Sequence, residues 1–228
     1  LDGLRRLEYR GYDSSGIALV EDNGQLYLAR ATGKLDALIQ HTEGQLPPAT
    51  CAIGHTRWAT HGEPSGRNAH PQLDPSGRIA VVHNGIIENF HDLRSRFAPD
   101  RFTSDTDTEV IAHMLAAEID GGADLLDALR HVVVSAQGAY SLVVTSKDEP
   151  GRIVASRIGN AGGLVVGYGD RESHIASDLG ALIAHTREIA FLEPGEFVDL
   201  TRDAITFVDA DGGTIEKERE IAPQDFVA

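Results

Sequence analysis

The sequence predicts an α+β protein built as a layered sandwich. Three observations carry this expectation. Strand-like runs come first, helical periodicity fills the middle, and after Gly138 the chain breaks into short apolar runs bounded by turn residues. That order differs from the strand–helix alternation of a parallel doubly wound sheet. The composition agrees, with 24 glycines against 6% aromatic residues in a chain of 228, which favours many turns and a sheet-rich body.

The elements follow in order. Leu1, Leu4 and Leu7 recur at helical spacing, and Gly11 is placed to stop that helix. Ser15–Val20 and Gln25–Ala31 read as a strand pair joined through Asp22-Asn23-Gly24. Leu35–Gln40 is a short helix. Cys51–His55 and Ile79–His83 are apolar runs of buried-strand length. Between them, Thr56–Gly77 is a polar loop, longer than most connections in a packed domain. Ile86–Phe97, Asp107–Ile119 and the stretch marked by Leu125, Leu129, Val132 and Val133 have helical spacing. The strand candidates of the last third are Ser141–Thr145, Ile153–Ser156, Leu164–Tyr168, His174–Ala176, Ile189–Leu192, Phe197–Leu200 and Ile205–Val208. From Glu216 on, the charged, aperiodic residues read as the start of a linker, so residues 1–215 form the domain and 216–228 the linker.

Composition excludes several functions. A single cysteine, Cys51, rules out an internal disulfide framework and cysteine-based zinc sites. The net charge of −15 argues against nucleic-acid binding, which needs a basic face. No apolar run reaches membrane-span length, and no leader opens the chain. The default is a soluble cytoplasmic protein. The only methionine is Met114, so the chain is expected to be processed or a piece of a longer one. The ten histidines lack zinc-type spacing, and no glycine fingerprint sits between a strand and a helix, so neither a metal nor a dinucleotide cofactor is expected.

Three clusters could carry chemistry. His55-Thr56-Arg57-Trp58-Ala59-Thr60-His61-Gly62 places an arginine and the only tryptophan where a strand runs into the long loop. A guanidinium there can bind a carboxylate through paired bonds. The same residues also fit a packing tryptophan and a surface-paired arginine. His83-Asn84-Gly85 offers a side-chain amide beside a glycine N–H, which suits an oxyanion hole and equally an Asn-Gly turn. Ser104-Asp105-Thr106-Asp107-Thr108-Glu109 lacks the pattern of a calcium loop. Its plain reading is a helix cap with acids in the first turn, one of which could face a cleft and bind an amine.

These clusters, with Tyr9-Arg10-Gly11-Tyr12-Asp13-Ser14-Ser15-Gly16 and Asn68-Ala69-His70-Pro71, resemble the glutaminase domains of glutamine–fructose-6-phosphate aminotransferases, which are class II glutamine amidotransferases. The resemblance runs through essentially the whole chain. It implies a four-layer α/β/β/α sandwich of the N-terminal-nucleophile hydrolase type, and hydrolysis of L-glutamine to glutamate and ammonia. Arg57 is implied to bind the α-carboxylate of glutamine and Asp107, with the Gly85 backbone, its α-amine. Asn84 and Gly85 are implied to form the oxyanion hole, and Thr60 and His61 to shape the pocket. Trp58 is implied to lie on a loop that covers the site, and Arg10 to lie close to the nucleophile.

The family's nucleophile is an N-terminal cysteine, whereas this sequence opens on Leu1. Cys51 lies in an expected buried strand and is no substitute. A cysteine-bearing first strand is therefore expected ahead of Leu1, and the residues as given are expected to be inactive without it. The resemblance also implies a sugar isomerase domain after the linker, and a homodimeric full-length protein. Two alternatives stay open: the glutaminase domain of another class II amidotransferase, and a non-catalytic glutamine-binding module.

Overall fold

The hairpin near the start shows how local chemistry sets the frame. In the computed structural model, which describes residues 1–223, Gly24 adopts φ +76° and the Asn23 side-chain oxygen accepts from the Gln25 N–H at 2.8 Å. This turn joins β1 (Ser14–Val20) to β2 (Leu26–Thr32) in antiparallel register, with Ser14 opposite Thr32. A short helix α1 (Asp2–Arg5) and a 3₁₀ turn (Glu8–Arg10) precede them, so the leading leucines form two short pieces rather than one helix. The chain continues through α2 (Leu35–Thr42), β3 (Cys51–Arg57), β4 (Gln72–Leu73), β5 (Ile79–Ile87), α3 (Phe90–Arg94), α4 (Glu109–Asp120) and α5 (Leu125–Ser135). It ends in β6 (Gly138–Ser146), β7 (Ile153–Ile158), β8 (Leu164–Tyr168), β9 (Ser173–Ala176), β10 (Glu188–Leu192), β11 (Phe197–Leu200), β12 (Ile205–Val208), β13 (Thr214–Ile215) and β14 (Glu220–Ile221).

A seven-stranded antiparallel sheet, ordered β13-β12-β11-β7-β6-β5-β4, is the floor of the molecule. Helices cover one of its faces: Val110, Ile111, Leu115, Leu125, Leu129 and Val132 pack on Ile79, Val81, Leu142 and Val144. Two smaller sheets cover the other. The sheet β2-β1-β3 packs Ala18 and Ile53 on Ala80 and Val82. The sheet β14-β10-β8-β9 packs Leu164, Val166, Ala190 and Leu192 on Ala155, Val198, Leu200 and Phe207. Leu35 and Leu38 of α2 close the outer side of β2-β1-β3 against Ile17 and Ala29. The result is the α/β/β/α layering. Each large apolar side chain buried between layers contributes about 1.5–3 kcal/mol.

Two expectations are corrected. The strand at Ile79 does not stop at His83, and no helix begins at Ile86. β5 runs to Ile87, pairing Gly85 with Tyr140, Ile86 with Ala139 and Ile87 with Gly138. Tertiary pairing with β6 overrides the local Asn-Gly turn signal, and only Phe90–Arg94 is helical. At the other end, Glu220 and Ile221 pair with β10 and Ala222 is buried. This part of the stretch expected as linker therefore lies against a sheet edge, where the backbone finds partners. Residues 224–228 of that stretch lie outside the described residues.

Candidate active site

The site is built where β3 leaves its sheet. Alternate residues of β3 face the floor, so Cys51, Ile53, His55 and Arg57 are all buried on one side. The loop then doubles back over the strand end. Arg57 Nη2 donates to the carbonyls of His61 and, at 3.1 Å, Gly62, while Nη1 has no partner among the described residues. Asp13 fixes the departure of this loop: its carboxylate accepts from the Ala59 N–H at 2.7 Å, and its own N–H donates to the Arg57 carbonyl at 3.0 Å. A Cβ on Gly11 would lie 2.7 Å from the Arg57 carbonyl carbon, so the Glu8–Arg10 turn can seat against β3 only through glycine. Trp58 is 58% exposed and packs edge-on to Tyr12, with ring centroids 5.4 Å apart.

Farther along, the long loop docks on the segment before α4. The Asp105 N–H donates to Asn68 Oδ1 at 2.9 Å, and His70 Nε2 lies 2.6 Å from Thr108 Oγ1. Glu109 reaches back to accept from Thr103 N–H at 2.8 Å and Ser104 N–H at 2.7 Å. Together these contacts set Asp107, which is buried rather than exposed in a first helical turn. Its Oδ2 accepts from the Ile87 N–H at 3.0 Å, and its Oδ1 lies 3.7 Å from His83 Nδ1.

A cavity of about 580 Å³ opens between edge strand β3 and edge strand β9, above β5 and β6. Arg10, Arg57, Trp58, Thr60, Asn84, Gly85 and Asp107 line it, so seven of the eight sequence-expected residues meet at one cavity. Arg10 is tethered across the cavity mouth by Nη1 bonds to Ser177 O at 3.2 Å and Oγ at 3.4 Å. His61 differs from the expectation. It sits beside the turn at Gly62, with φ +77°, and does not line the cavity; its Nδ1 is 3.9 Å from Asp107 Oδ2 and its ring meets Phe90 edge-on. Cys51 does not line the cavity; its Sγ is 3.2 Å from Thr145 Oγ1, and burial pushes its thiol pKa up.

The cavity's electrostatics are simple. Burial lowers the Arg57 pKa, and the carboxylates of Asp107 and Asp13 oppose that. Burial also lowers His55, to about 4, and takes His70 well below its ordinary value. His83 is lowered by burial too, against the pull of Asp107. At neutral pH these imidazoles carry no charge. Two guanidiniums, Arg57 inside and Arg10 at the mouth, therefore line the cavity with one carboxylate, Asp107, beside a side-chain amide. This arrangement can take a zwitterion with a carbonyl at its far end.

The sequence did not single out His70 and Thr108, nor give His55 and His83 a role. The available signal was strand alternation, which puts His55 on the same face as Arg57 two residues away.

A family model described as a glutamine amidotransferase domain matches residues 40–210. Among curated relatives, the glutamine–fructose-6-phosphate aminotransferase [isomerizing] of Aquifex aeolicus is 44% identical over 100% of this chain and 38% of its own length. The protein of that name from Streptomyces coelicolor is 49% identical over 92% of this chain and 34% of its own. The chain thus spans little more than a third of these relatives. The solved glutamine phosphoribosylpyrophosphate amidotransferase of B. subtilis has the same fold, with TM-score 0.76 and 23% identity over 93% of this chain and 46% of that one.

Proposed function

Because the chain belongs to the glutamine amidotransferase domain family, we propose that it is the glutaminase part of a glutamine–fructose-6-phosphate aminotransferase. It hydrolyses L-glutamine to glutamate and ammonia, which a sugar isomerase domain of the longer protein uses to make glucosamine 6-phosphate. One observation carries the reading: Arg57, Asp107 and the Asn84-Gly85 pair face one cavity. The names and 44–49% identity of the relatives support the aminotransferase assignment. The reading places the reaction in the cytoplasm, in a protein that dimerises at full length. Among the described residues, no helix is long and apolar enough to cross a membrane.

The unpartnered Nη1 of Arg57 takes the α-carboxylate of glutamine, and Asp107 takes the α-ammonium. The side-chain carboxamide then lies toward Asn84. Thiolate attack on its carbon forms a C–S bond and puts negative charge on the oxygen, where the Asn84 amide and Gly85 N–H donate. The C–N bond breaks, ammonia leaves with the proton taken from the thiol, and water hydrolyses the thioester to glutamate and the free thiol. The thiol is assigned to a cysteine outside residues 1–228, because Cys51 is buried away from the cavity. The opening between the β3 and β9 edges is where a strand carrying it would fit.

Isothermal titration with L-glutamine tests the reading without needing turnover. Arg57→Ala should weaken binding by about 100-fold, the loss expected for a charge-assisted pair. Unchanged affinity in a folded variant would overturn the carboxylate clamp.

A further inference from the structure

His55 lies on the buried face of β3, two residues before Arg57, and its Nε2 lies 3.0 Å from Asn84 Oδ1. An amide oxygen only accepts, so this contact requires the proton on Nε2. With the amide turned over, Nδ2 would meet the ring, and only an unprotonated Nε2 could accept from it. The tautomer of His55 and the direction of the Asn84 amide are therefore a single choice. With the proton on Nε2, the Asn84 NH₂ is turned from the ring and is free to donate into the cavity that Asn84 lines.

Packing holds the ring in that pose. His70 packs against it at 4.7 Å between centroids, with the rings inclined by 44°. His70 Nε2 is in turn 2.6 Å from Thr108 Oγ1, and that oxygen is 2.9 Å from His83 Nδ1. A hydroxyl has one proton, so one of these imidazoles donates to Thr108 and the other accepts from it. Asp107 Oδ1, 3.7 Å from His83 Nδ1, favours the proton on His83, and Thr108 then donates to His70. Burial, with the nearby His83 and Arg57, keeps His55 neutral.

We propose that His55 is a positioning residue that fixes the Asn84 amide with its NH₂ toward the reacting carbonyl. This rests on the reading of Asn84 as the oxyanion donor. The test uses the full-length enzyme and steady-state glutaminase kinetics of His55→Phe, His55→Gln, Asn84→Ala and the double variant His55→Phe/Asn84→Ala. His55→Phe should lower kcat by about 10–100-fold, within the range for a disturbed oxyanion donor. Its KM should stay within about threefold, because ground-state binding is untouched. His55→Gln carries an amide N–H that can occupy the Nε2 position, and should keep kcat within about fivefold of wild type. In the Asn84→Ala background, His55→Phe should cause no further loss. Nitrogen-15 spectra of the wild-type imidazoles should place the His55 proton on Nε2. Equal losses in His55→Phe and His55→Gln, additive losses in the double variant, or a proton on Nδ1 would each overturn the proposal. Failure of the underlying reading looks different: Asn84→Ala itself would then retain full activity.

Discussion

Glu109 is 2% exposed, yet it is charged at neutral pH. Burial raises its carboxyl pKa, but His113 and the donors of Thr103 and Ser104 together outweigh burial and hold it at about 2 instead of 4.5. His113 Nε2 lies 3.9 Å from the Glu109 Oε1. A depressed folded pKa means that the stabilisation is complete above the unfolded value of 4.5 and is lost as pH falls toward 2. Its size is about 3 kcal/mol. Urea unfolding of Glu109→Gln should therefore show a deficit of that order at pH 7, shrinking between pH 4.5 and 2 relative to wild type. The site's legibility at this scale was uneven. Arg57, Asn84 and Asp107 stood in recognisable clusters. The His70–Thr108 contact joins residues 38 apart in sequence, and no local pattern announces it.

Elements set the precision of these residues. Gly85 sits in β5 with φ +117°, and a Cβ there would fall 2.3 Å from the Ala139 oxygen and 2.7 Å from the Tyr140 Cα. Gly85→Ala should cost at least about 2 kcal/mol and lower Tm by roughly 5–10 °C. It should also reduce glutaminase kcat by about 100-fold, because the strand can accommodate Cβ only by moving Asn84. The loop after β3 depends on Asp13 in a similar way. Asp13→Ala should free the Ala59 N–H at a cost of about 2 kcal/mol and increase acrylamide quenching of Trp58, the only tryptophan. Asp13→Asn keeps an acceptor and should quench close to wild type. Some elements could be read directly from sequence. β8, β11 and β12 match the short apolar runs residue for residue, because turn residues bound each one. β5 was read short, because Asn84-Gly85 signals a turn that only its pairing with β6 cancels. The two-residue strands β4, β13 and β14 are too short to show alternation.

At the scale of the molecule, the order of strands and helices was enough to predict layering, but it could not say that one layer is made of two separate sheets. β3 pairs only with β1, and β9 only with β8, among the described residues. Alternate N–H groups of each strand therefore point into the cavity between them, without ladder partners there. Hydrogen exchange should separate these amides from those of β6, which is flanked on both sides by β5 and β7. The former should exchange through small local openings and the latter only near global unfolding. The divided layer also bears on cooperativity. The two plates share no backbone ladder; they meet through the common floor and through the side-chain bonds of Tyr9 to Asp178 and Arg10 to Ser177. A single extended strand laid between them, hydrogen-bonded to both edges, would weld them into one unit that melts in one step. The exchange rates along β3 and β9 would then report directly whether the wall that holds Arg57 is locked to the rest of the molecule.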